Sequence, residues 1–106
     1  MADYPKDPMP IVQALQSYAP DLPALDEEAQ EAVAAGLAAA VAKSSPVDKI
    51  VGAFDTLRPH VADLDLEGAQ ILAGASELIA LQNFHNKNVE ALGVRDAAIA
   101  RLESLA

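Results

Sequence analysis

The chain contains neither cysteine nor tryptophan, and its only aromatic residues are two tyrosines and two phenylalanines. Without thiols it can form no disulfide and offers no thiolate to a metal ion or to nucleophilic chemistry. Basic residues are scarce too, with seven Lys and Arg against sixteen Asp and Glu, a formal net charge of −9 and a pI near 4.3. Such a chain lacks the positive footprint that engages a phosphate backbone or an anionic bilayer, so neither nucleic acid nor membrane is expected as a partner. The acids are spread along the chain: residues 1–53 and 54–106 carry eight each. A long hydrophobic run is also missing. The most apolar stretch, Ala32 to Ala42, falls well short of the roughly twenty residues that span a bilayer. The first ten residues, MADYPKDPMP, are polar and proline-rich, unlike a secretory signal. These features lead us to expect a soluble, cytoplasmic protein, or one carried in a virion if it belongs to a phage structure.

With 106 residues the chain is large enough for one domain with its own core. No segment alternates with the period of two that marks a strand. Apolar residues recur at helical spacing instead, and the expected fold is all-α: four or five helices packed around one long central helix at about 66–92. Residues 1–9 are expected as an extended arm, because prolines at 5, 8 and 10 disfavour helix and sheet alike. Residues 10–106 then form the single helical domain.

The central segment, Leu66 to Leu92, is expected to run without interruption. Ile71, Ala75, Leu78, His85, Val89 and Leu92 share a broad apolar stripe, flanked by Leu72, Gly74, Ile79 and Leu81. Opposite lies a narrower stripe of Ala69, Ala73, Ala80, Phe84 and Ala91, and Ser76, Asn83, Lys87 and Glu90 form a polar strip left to water. A helix that is apolar on two sides is either wrapped by its own chain or completed by another molecule.

Elsewhere the boundaries are set by local chemistry. Pro10 opens a short helix that Pro20 ends. Asp26 is one of two candidate starts for the next helix, the other being Pro23. Asp26, Glu27, Glu28 and Glu31 crowd its first turns, where the backbone dipole favours negative charge. That cluster lacks the ligand spacing and turn of a calcium loop. From Ala32 to Ala42 no charge occurs, and Ala32, Gly36 and Ala40 recur every fourth residue, a spacing that allows close helix packing. Ser45 and Pro46 restart a helix whose buried stripe is Val47, Ile50, Phe54 and Leu57. Pro59 interrupts it, Asp65 caps the central helix, Gly93 ends that helix, and Asp96 caps a last one.

Chemistry-bearing motifs are sparse. There is no His-Glu-x-x-His, no glycine-rich phosphate loop and no Gly-x-Ser-x-Gly elbow, so no catalytic residue, metal or cofactor is expected. His85, with Gln82 and Asn86 beside it, is the one candidate polar site. The leading reading is a non-enzymatic helical interaction or structural protein. It would be a homo-oligomer or a small subunit of a larger phage or bacterial assembly, making contact through Ala69, Ala73, Ala80, Phe84 and Ala91, with Tyr4 and Met9 of the arm as a strap. A second reading is a small acidic regulator or inhibitor that docks on a basic surface of a partner protein. A third is a small-molecule or catalytic site around His85.

Overall fold

The computed structural model describes residues 7–82 and 88–106. Within them the chain is all-α and no strand occurs: α1 is Pro8–Ser17, α2 Glu27–Val41, α3 Pro46–Leu57, α4 Leu66–Gln82 and α5 Asn88–Leu105, with a 3-10 segment, Arg58–Asp63, between α3 and α4. A single hydrophobic core draws on every helix, and Phe54, Leu57, Leu64 and Leu72 are excluded from solvent altogether.

Several boundaries follow from side chains that satisfy exposed backbone N–H groups. Asp26 accepts from the Ala29 amide at 2.7 Å and starts α2 at Glu27, so the start at Pro23 is not used. Asp65 accepts from the Gly68 amide at 2.7 Å and opens α4. Pro46 stands at the first position of α3, where its missing N–H costs nothing, although the Ser45 hydroxyl makes no cap bond. The first helix begins earlier than its sequence suggests. Asp7 accepts from the Met9 amide at 3.1 Å, and Pro8 and Pro10 both fall in the first turn, whose amides have no intrahelical acceptor in any case. Pro8 and Met9 therefore belong to the helix, not to an extended arm, and residues 1–6, Tyr4 among them, lie outside the described residues.

The largest departure from expectation is in the central segment. No single helix spans Leu66 to Leu92: α4 ends at Gln82, α5 begins at Asn88, and the two pack side by side. Their direction is fixed by contacts that pair early residues of one with late residues of the other. Arg101 Nε donates to the Leu64 carbonyl just before α4 at 2.8 Å, and Arg95 lies 3.6 Å from Glu77. The hairpin is antiparallel. Asn83 and Asn86 fall between these helices in the sequence and Asn88 opens α5, and asparagine is a poor helix former. Gly93 and Asp96, expected as a stop and a cap, are both interior to α5.

Helices α2 and α3 form a second antiparallel pair. Gly36 stands where a Cβ would meet Thr56 Cγ2 at 2.7 Å, and Gly52 where one would meet Ala40 Cβ at 3.0 Å, so the two backbones approach through small residues at both levels. Gly36 and Ala40 thus do what their spacing suggests. Ala32 does not share in it, being exposed. Across the bundle, Ile11 of α1 covers Gly74, and α4 is packed by α1, α3 and α5.

Candidate interaction surface

The narrow stripe on α4 offers little to a partner, because the chain itself covers it. Ala69, Ala73 and Ala91 are wholly buried in the core and Ala80 is partly buried. Ala91 belongs to α5, so folding the segment into a hairpin turns the stripe inward. Ser76, expected in water, is also fully buried, and its hydroxyl donates to the Ala73 carbonyl at 3.1 Å. Conversely, Val89 and Leu92, expected in the core, are exposed, Val89 by 79%. Phe84, His85 and Asn86 lie outside the described residues, as does the side chain of Gln82. Met9 is exposed on the first turn of α1.

The surface that stands out is on α2. Its inward positions, Val33, Leu37 and Ala40, are buried, while Ala32, Ala34, Ala35, Ala38, Ala39 and Ala42 all face solvent with no charge among them. A helix normally turns a charged face to water, and this one presents methyl groups over three turns. Beside it, between the end of α1 and the middle of α2, lies an open cleft of about 360 Å³, with Leu15, Tyr18 and Pro20 on one wall and Ala34, Leu37 and Val41 on the other.

Four hydrogen bonds from three side chains hold these walls. Gln30 of α2 grips the connection from α1 by donating to the Pro20 carbonyl at 2.6 Å and accepting from the Leu22 amide at 3.0 Å, which leaves Leu22 buried. Lys49 of α3 donates to the Val41 carbonyl at 2.5 Å, placing a positive charge at the C-terminal end of α2 where the helix dipole favours it. Tyr18 donates to Asp65 at 3.0 Å, tying the end of α1 to the start of α4. Burial first, then the bond to Asp65 and the negative charges of Asp65 and Glu67, keep the Tyr18 hydroxyl protonated well above its ordinary range.

The charges frame this surface asymmetrically. Asp26, Glu27, Glu28 and Glu31 are exposed around its N-terminal end and Lys43 is exposed just past its C-terminal end. The other described Lys and Arg side chains are engaged by groups of the same chain. Lys49 binds the Val41 carbonyl, Arg58 pairs with Glu90 and lies 5.9 Å from the centre of the Phe54 ring, Arg95 pairs with Glu77 and Asp96, and Arg101 binds the Leu64 carbonyl. Among the described residues no group of three or more His, Asp or Glu side chains converges at metal-binding distance, and no helix is long and apolar enough to cross a membrane.

Comparison with protein-family models, with curated proteins and with solved structures returns no match to this chain. The surface on α2 has a sequence signal, the charge-free run from Ala32 to Ala42, but the run alone does not say which of its residues the chain covers.

Proposed function

We propose that the protein is a non-enzymatic helical interaction protein that associates with itself, on its own or as a small subunit of a larger assembly. The observation that carries this reading is the outer face of α2, an exposed and uncharged row of alanines on a chain of net charge −9. On so acidic a surface, an alanine row without a single carboxylate is what a tight helix–helix contact requires. The contact moves from α4, where the sequence pattern suggests it, to α2. The internal polar bonds support the same reading, since Tyr18, Gln30, Lys49 and Arg101 each fix a helix end or a connection.

The test is the mass in solution by light scattering, at two protein concentrations and two salt levels. The expected result is a multiple of 11.0 kDa that holds or strengthens as salt rises, because salt screens the repulsion between two acidic chains and favours apolar contact. A monomer at every concentration would sink the proposal.

One observation favours a second reading. Four exposed carboxylates, Asp26, Glu27, Glu28 and Glu31, gather at the N-terminal end of α2, and Arg58 and Arg95 are already paired with acids of the same chain. That suits a small acidic regulator bound to a basic surface of another protein, and such binding would weaken steeply with salt.

A further inference from the structure

We infer that two copies of the chain pair through the outer face of α2, antiparallel, with Ala35 of each copy at the twofold axis. The inference rests on the self-association proposed above and names its surface and geometry. Between its charged ends this face presents the methyl groups of Ala32, Ala35, Ala38 and Ala39, so a second helix can approach closely.

The charges at the two ends decide the occupant. Glu27, Glu28 and Glu31 stand at one end of the face and Lys43 at the other, all exposed, with eleven uncharged residues from Ala32 to Ala42 between Glu31 and Lys43. A partner with a basic contact surface would match the acidic end and be opposed by Lys43. A parallel second copy would set carboxylates against carboxylates and ammonium against ammonium. An antiparallel copy centred on Ala35 brings Glu28 of each chain level with Ala42 and Lys43 of the other, and the twofold makes the match twice. Ala32 then meets the neighbour's Ala38 and Ala39, across positions with no side chain larger than a methyl group.

Because the chain lacks cysteine, single cysteines report on this geometry without background. Under mild oxidation Ala35→Cys is expected to form a covalent dimer. Glu28→Cys and Ala42→Cys are expected to stay uncrosslinked alone and to crosslink when mixed. All three positions are exposed, so these variants should keep the helical circular dichroism of the parent. Self-crosslinking of all three alone would mean parallel pairing and overturn the inferred arrangement. Absence of crosslinks in a protein whose mass remains a multiple of 11.0 kDa would put the contact elsewhere, overturning this inference while self-association stands. A monomeric mass would overturn both. The charge match has its own readout: Lys43→Glu should weaken dimerisation roughly tenfold and Glu28→Lys in the same chain should restore it, whereas unchanged dimerisation in Lys43→Glu would overturn the pairing of those ends.

Discussion

Helices α2 and α4 are both rich in alanine, and the molecule uses their alanines in opposite ways. In α4, Ala69, Ala73 and Ala75 are buried among Ile71, Leu72, Leu78 and Ile79, and three other helices pack around them. In α2, the large residues Val33 and Leu37 take the inward face and the alanines are left in solvent. The difference lies in where the large side chains fall around each helix. Spread around α4, they need cover on several sides, and the alanines between them become the places where neighbouring backbones come close. Confined to one side of α2, they are satisfied by α1 and α3, and none of the described residues buries the alanines on the other side. Alanine itself is indifferent, small enough for a tight contact and apolar enough to tolerate water without strongly seeking it.

Substitutions can break this contrast, and the largest effect is expected in α4. Ala73→Asp places a carboxylate in a fully enclosed site of the core, a cost of several kcal/mol, comparable with the whole stability of a small domain. The variant should be largely unfolded by circular dichroism at 25 °C. Native-like ellipticity and a native urea midpoint would mean that α4 is less enclosed than described.

Gly68→Ala comes next. A Cβ at that position falls well inside contact distance of the Tyr18 hydroxyl and 3.0 Å from Asp65 Oδ1, so it pushes apart the bond that joins α1 to α4. The gain in helix propensity, about 1 kcal/mol, offsets only part of the loss, and a net destabilisation of about 1–2 kcal/mol is expected in urea unfolding.

A smaller effect, with a distinctive pH dependence, is expected of Tyr18→Phe. Loss of the hydrogen bond to Asp65 should cost about 1 kcal/mol at neutral pH, while Asp65 keeps its bond to the Gly68 amide. In the native protein the hydroxyl is held protonated above the unfolded value of 10.0. Its contribution is therefore complete below pH 10.0 and declines as the pH rises toward the folded value, because the unfolded chain gives up its proton first. Urea midpoints measured from pH 9 to 11.5 should fall less steeply for the phenylalanine variant than for the parent, and identical slopes would contradict this account.

The smallest effect on the fold completes the contrast. Ala35→Asp lies on the exposed face of α2 and should change monomer stability by no more than about 0.5 kcal/mol, while removing any association through that face. The same chemical change in two alanine-rich helices thus separates a residue that holds the fold together from one that the fold leaves free.

What could be read from sequence divides along the same line. The start of α4, and that of α2 as one of two candidates, were legible because Asp65 and Asp26 accept from amides three residues on, and the start of α3 because Pro46 suits a first helical position; such chemistry is written locally. The all-α class followed from periodicity. The division of the segment 66–92 was harder, because an apolar stripe can be drawn straight across Asn83 to Lys87 on a helical wheel, and the wheel does not register that α5 folds back on α4. The same limit placed Ala69, Ala73 and Ala91 at a contact with a partner. A wheel assigns residues to faces, but what covers a face depends on segments far away in sequence. Ala35 and Ala38 were passed over for the converse reason: a run uncharged on every side conceals which side the chain will bury.

The bond between Tyr18 and Asp65 has a consequence for the order of folding. It joins residues forty-seven positions apart, whereas α2 with α3 and α4 with α5 are neighbours along the chain. Closing the short hairpins restricts the chain far less than closing that long loop. The two helical pairs can therefore assemble early and separately, and α1 docks across them afterwards, with Tyr18 as the latch. A contact made that late weighs on the rate of escape from the native state more than on the rate of arrival, so removal of this one hydroxyl is expected to shorten the lifetime of the folded molecule roughly fivefold.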